Sequence, residues 1–262
     1  MNKTTKLILQ ILNLGTFIAA VIINYLAISL PLGYGTTQEL SDAIPNLFVP
    51  AGLTFSIWGI IYILLGLFSI YQFRDIFKSD KVEMPYLEKI SVFFIISNLA
   101  NLTWILFWHY QLIPLSLGAM LVILIMLLLI YLRLNIGKAD VSKIEKWTVH
   151  IPFSVYLGWI TVATIANVTA LLVTFGVPNG VTFPSLLAII LTIVVIAIVV
   201  IITLLMLLLR KDIAYSLVVV WASLGILLKQ LPLNLTIAIT ALIAMIIIII
   251  GIIIVAINHF RK

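Results

Sequence analysis

Three apolar stretches hold side chains whose types and spacing could do chemistry: Trp58 and Tyr62, then Asn101, Trp104 and Trp108, then Tyr156, Trp159, Ala163 and Asn167. At 100° per residue on a helix, Asn101, Trp104 and Trp108 fall within about 60° of one another, and Trp159, Ala163 and Asn167 within about 80°. Each stretch therefore presents one polar–aromatic stripe. Aromatic faces stack on flat apolar molecules, and a carboxamide beside them offers a donor and an acceptor to orient such a guest. Two other uses compete with ligand binding. Trp and Tyr form belts at membrane surfaces, and Asn links helices by hydrogen bonds inside a membrane. Depth separates the belt from the pocket: at about 1.5 Å per residue, Trp58 lies about 10 Å inside its stretch, Trp104 about 12 Å and Trp159 about 21 Å. Trp147 fits a belt and Trp108 fits either role, while the asparagines keep both a ligand-facing and a helix-linking reading.

Other chemistries find less to stand on. The chain has no cysteine, which removes disulfides, thiolate nucleophiles and Cys-based metal sites. Its acidic residues all fall in loops or at the ends of apolar stretches, against the expectation that an ion-coupled transporter keeps an acid in the membrane interior. No Ser or Thr in an apolar stretch has a His and an acid near it in sequence, and no phosphate-cradling Gly loop occurs. His109 could ligate a haem iron or sit at a membrane surface, His150 lies near the opposite interface and His259 is terminal. No dedicated metal site and no obligatory cofactor are expected, and the residues point to binding rather than catalysis.

The elements that must position these stripes follow from composition. Of 262 residues, 64% are hydrophobic and 9% charged, against roughly 45–50% and about 25% in soluble domains. That excludes a soluble globular protein. Breaks at charged, Pro and Gly residues leave about eight spans of membrane-crossing length, near residues 7–30, 51–73, 90–112, 114–132, 147–173, 185–209, 213–231 and 233–257. Continuous apolarity favours helices over the alternating strands of a barrel. The expected fold is all-α, a polytopic membrane helix bundle of about eight transmembrane helices. Between spans one and two lies a connection, residues 31–50, long enough to serve as a lid and without a helical pattern of its own.

The net charge of +6 would suggest nucleic acid in a soluble protein, but its distribution gives another meaning. Lys3, Lys6, Arg74, Lys78, Lys81, Lys89, Arg133, Lys138, Lys143, Lys146, Arg210, Lys211, Arg261 and Lys262 all fall on one side of the eight-span arrangement. Only Lys229, at the end of span seven, falls on the other, where it is expected to snorkel to the interface. By the positive-inside rule both termini are cytoplasmic and the 31–50 loop is external. A multi-pass cell-membrane protein is expected, with the lipid bilayer as partner and no nucleic acid.

The spacings Pro50–(x7)–Trp58–(x3)–Tyr62–(x3)–Gly66, Asn101–x-x–Trp104 with Phe107 and Trp108, and Tyr156–x-x–Trp159–(x3)–Ala163–(x3)–Asn167 resemble the second, third and fifth helices of the TspO/translocator-protein family, the tryptophan-rich sensory proteins. The resemblance covers about residues 7–175, and the whole chain looks like a longer bacterial form with extra C-terminal helices. It implies a TspO-like five-helix transmembrane bundle over 1–175 with a lid loop at 31–50, followed by three additional transmembrane helices over 176–262. It further implies an often dimeric assembly, so a homodimer is among the expected partners. Its pocket would bind a tetrapyrrole, porphyrin or haem, or another hydrophobic small molecule. By the same resemblance Trp58 and Tyr62 line one wall, Asn101, Trp104 and Trp108 a second, and Tyr156, Trp159, Ala163 and Asn167 a third. The first loop reads Leu32–Gly33–Tyr34–Gly35 where the family carries Trp-Tyr and Lys-Pro elements. The expected function is a membrane sensor or binding protein for an apolar planar ligand. A permease or permease-like subunit is the alternative.

Overall fold

The computed structural model describes residues 2–30, 32–76, 83–178 and 185–260, apart from the side chains of 259 and 260. Pro31, Lys78, Lys81, Arg261, Lys262 and the His259 side chain lie outside the described residues. Among the described residues every regular element is helical: α1 (Lys3–Ser29), α2 (Thr37–Ala43), α3 (Ile57–Tyr71, entered through a 3-10 turn at Gly52–Ser56), α4 (Pro85–Ile90), α5 (Phe93–His109), α6 (Ile113–Leu134), the single turn α7 (Lys143–Glu145), α8 (Ile151–Thr174), α9 (Leu186–Arg210), α10 (Ile213–Gln230) and α11 (Leu235–Phe260). A π-helical turn at Lys146–His150 joins α7 to α8 into one continuous rod. Seven of these helical stretches are long and apolar enough to cross a membrane, and α5, at 17 residues, is the short eighth. At 1.5 Å per residue α5 spans about 25 Å. The chain is a polytopic helical membrane protein.

Local sequence explains where the helices begin and end. Asn2 accepts from the Thr5 amide at 2.7 Å and Asp212 from the Tyr215 amide at 3.1 Å, each satisfying an N-terminal donor that would otherwise be orphaned. Pro114 and Pro85 stand in first turns, where the missing N–H costs nothing. Asn135 and Lys211 close α6 and α9 in the left-handed conformation. The division between spans three and four is a tight reversal in which Gln111 takes φ +55°. Contrary to the sequence expectation, the 31–50 connection is not wholly irregular: Thr37–Ala43 forms α2.

The chain forms two compact units, residues 1–36 with 58–157, and residues 37–57 with 158–262. The first contains α1, most of α3, α4 to α7 and the beginning of α8. In it α1 packs on α5, and α5 and α4 pack on α6. Phe68, Phe94 and Phe153 form its aromatic centre, meeting edge to face with centroids 5.0–5.4 Å apart. Beside it the Arg74 guanidinium lies 4.0 Å over the Tyr71 ring and hydrogen-bonds the Tyr86 hydroxyl.

The second unit contains α2, the 3-10 turn, the rest of α8, and α9, α10 and α11. The last three helices pack on one another. Small residues allow close approach here: a Cβ at Gly158 would lie 3.0 Å from the Tyr215 carbonyl oxygen and 3.1 Å from the Val218 Cβ. The side chains of α9 mostly face outward as Ile, Leu and Val, as a lipid-contacting helix requires.

Candidate functional site

In the first unit α3, α5 and the start of α8 bring six of the candidate residues into one layer. The Trp58 ring stacks on Tyr62 (5.5 Å between centroids, 25° between planes) and on Trp104 (5.8 Å, 29°). Trp104 stacks in turn on Trp108 (6.3 Å, 22°), and Tyr156 meets Trp58 edge-on at 6.0 Å. The helical spacings 58/62 and 104/108 are what place each pair of rings on one face, one turn apart. Trp104 and Trp108 are buried, Trp58 and Tyr62 half-buried.

Asn101 joins this layer through its amide. Its Oδ1 accepts from Asn24 Nδ2 at 2.7 Å and its Nδ2 donates to the Tyr156 hydroxyl at 3.2 Å, so it ties α5 to both α1 and α8. One N–H and one lone pair of the amide remain beyond these two bonds. Trp104 differs: its indole Nε1–H is buried and has no hydrogen-bond partner among the described residues. A buried donor left unmade costs about 1–3 kcal/mol, and an acceptor on a guest would recover that cost.

The remaining candidates belong to the second unit. Trp159 meets Phe55 edge to face, with centroids 6.1 Å apart. Ala163 and Asn167 follow one and two turns along α8 on the same face. Trp159 and Asn167 are buried and Ala163 is half-buried.

The Gly33–Tyr34 part of the first loop is held in the first unit. The Tyr34 amide donates to the His109 carbonyl at 3.1 Å, and His109 Nδ1 donates to the Leu32 carbonyl at 3.2 Å. Gly33 takes φ +65°, and a Cβ there would overlap the His109 carbonyl. His109 is thus a buried loop anchor through Nδ1. Among the described residues, no group of three or more His, Asp or Glu is placed to hold a metal ion.

A second polar system escaped the sequence reading. Gln10, Asn13 and Asn24 lie on the buried face of α1 with Phe17 and Ala20. Asn13 Nδ2 donates to Gln72 Oε1 at 3.1 Å, Gln10 Nε2 donates to the Gln72 carbonyl and to Asp75 Oδ1, the latter at 3.0 Å, and Asn98 Nδ2 donates to Thr16 Oγ1 at 3.3 Å. The signal was present in the sequence: positions 10, 13, 17, 20 and 24 share one helical face, and polar residues in a span face inward. At the end of this row Lys6 Nζ stands 2.5 Å from Asp75 Oδ2. Burial alone would raise the Asp75 pKa, but the hydrogen bonds from Lys6 and Gln10 and the Lys6 charge outweigh it and hold the carboxyl below its usual 3.8.

Fold and layer together define a class: a multi-pass membrane helix bundle with a buried aromatic and amide layer built on three of its helices. The family model of TSPO-like proteins matches residues 10–254, and the chain belongs to that family. The match runs through α9 and α10 and into α11, beyond the five spans on which the sequence resemblance rests. The chain matches neither a curated protein nor a solved structure.

Proposed function

We propose that this membrane protein is a sensor or binding protein for an apolar planar ligand, a tetrapyrrole, held at the aromatic layer in the external half of the bundle with both termini cytoplasmic. The observation that carries this reading is the Trp58–Trp104–Trp108 stack with the unpartnered Trp104 indole N–H in it. Stacked rings supply the faces a flat macrocycle needs, and the N–H suits a ring substituent with an acceptor oxygen, such as a carboxylate. Tyr62, Tyr156 and the Asn101 amide complete that wall. Trp159, Ala163 and Asn167 are assigned to the same function by the family spacing.

The rings are in contact with one another as they stand. Two aromatic planes that sandwich a third need about 7 Å between them, twice the 3.5 Å carbon contact distance, and the Trp58 and Trp104 centroids are 5.8 Å apart. A planar guest therefore caps the stack or parts it by a rotamer change. Titration with protoporphyrin in detergent tests the reading: saturable quenching of Trp fluorescence, weakened by Trp104→Phe, is the expected result. Unsaturable quenching that is equal in the variant would overturn it. The polar row along α1 favours a second reading, a permease, and flux through reconstituted vesicles that Asn13→Leu abolishes would establish it.

A further inference from the structure

We propose that the last three helices are the seat of loop segment 37–57, with Trp221, Gly225 and Lys229 of α10 as positioning residues that hold it closed. These three stand at i, i+4 and i+8 and so lie along one face of α10. Each grips a different point of the segment. Trp221 Nε1 donates to the Thr54 carbonyl at 3.0 Å, the Ala51 amide donates to the Gly225 carbonyl at 2.9 Å, and Lys229 Nζ stands 2.6 Å from Asp42 Oδ1. Gly225 is needed for the approach itself: a Cβ there would overlap the Thr54 side chain and lie 2.9 Å from the Pro50 Cβ. Sequence spacing places Lys229 at the interface as a snorkelling cation, and the structure gives it Asp42 as its partner there.

Beside these contacts the segment is anchored by apolar side chains. Leu47, Phe48 and Val49 are at most 4% exposed. Phe48 borders a small apolar cleft lined also by Val199 of α9, Val219 and Ala222 of α10, and Ala244 of α11, so all three helices contribute to the seat. An ion pair whose side chains are 30% and 36% exposed lies at the exposed margin of the fastening, whereas Thr54 and Phe48 are each 2% exposed. An exposed ion pair is weak and screened by salt, which makes the Lys229–Asp42 contact the step that opens first.

The test needs no ligand, so its failure and the failure of the tetrapyrrole reading are distinguishable. The chain has no native cysteine, and single cysteines can report opening in the full-length protein in detergent. Ser41→Cys reports a position 8% exposed on α2, and Tyr34→Cys, at 73% exposed, is the control. The maleimide reaction of Ser41→Cys is expected to be much slower than that of the control. Adding Lys229→Ala should speed it up to about fivefold, the range of an exposed ion pair, and exchanging the charges with Lys229→Asp and Asp42→Lys should restore the slow rate. Gly225→Leu should speed it more than tenfold. Trp221→Phe, which keeps an aromatic side chain but loses the indole donor and part of the ring volume, should speed it too. The control rate should stay constant throughout. Equal rates at positions 41 and 34 in the parent, no change at 41 in any variant, or equal acceleration at both positions would each overturn the proposal.

Discussion

Replacing Asn101 by Leu, which has nearly the same shape, separates a helix-linking amide from a ligand-facing one. The substitution removes the bond from Asn24 Nδ2 and the bond to the Tyr156 hydroxyl. Interhelical bonds in membrane bundles average about 0.6 kcal/mol, so the two together set a lower figure of about 1 kcal/mol. Asn24 Nδ2 keeps its bond to the Ala20 carbonyl at 2.9 Å, while the Tyr156 hydroxyl, 1% exposed as a residue, loses a donor and has no water to replace it. That dry group raises the expected loss to about 3 kcal/mol at most. The assay is reversible unfolding in mixed micelles, run as a cycle with Asn24→Leu and the double variant. A coupling of about 0.6–1.7 kcal/mol is expected, with the double variant recovering part of the loss because both partners are then apolar. Additivity within about 0.3 kcal/mol, or an Asn101→Leu chain of unchanged stability that no longer responds to protoporphyrin, would refute the helix-linking argument and leave the amide to the ligand.

Gly158→Leu should lower stability by about 1–3 kcal/mol through overpacking where α8 meets Tyr215 and Val218, measured by the same unfolding assay. The Lys6–Asp75 pair gives a pH dependence of fixed sign. Because the folded carboxyl titrates below 3.8, its stabilisation is fully present above that value and is lost as pH falls through the lower folded pKa. Asp75→Asn should flatten that acid limb of a stability–pH profile and lower stability at neutral pH. Gln230 is buried with neither amide atom hydrogen-bonded among the described residues. Gln230→Met should therefore raise the unfolding free energy by about 1 kcal/mol, and a loss of stability would show that the amide has a partner.

The helices were legible because lipid imposes a long, uniform signal: α9 carries no charge before its last residue, Arg210, and α1 ends where its apolar run ends. Short elements were not legible. The seven residues of α2 bury Leu40 and Ser41 with no amphipathic run long enough to show as a period, and the π turn at Lys146–His150 leaves no mark in hydropathy. The aromatic layer was legible from the i, i+4 spacing of its rings. What spacing could not give was the choice between a gap and a contact at Trp58 and Trp104, which depends on how far apart α3 and α5 stand.

Lys229 and the α1 asparagines mark the same limit from the other side. A cation at a helix end and an amide in a span are each explained by a generic rule, snorkelling in one case and helix linking in the other. Both rules name a kind of partner without naming the residue. Asp42 lies 187 positions from Lys229, and Asn101 lies 77 from Asn24. Only tertiary structure selects those pairs. Once selected, they change what the residues are for: Lys229 becomes part of a fastening that includes Thr54 and Ala51, and Asn101 becomes the junction between α1 and α8 beside the rings. In both places a polar group inside an apolar chain holds another element in position, and an aromatic side chain lies within a turn or two of it along the helix. The Asn101 cycle and the cysteine rates measure these two sets of contacts separately.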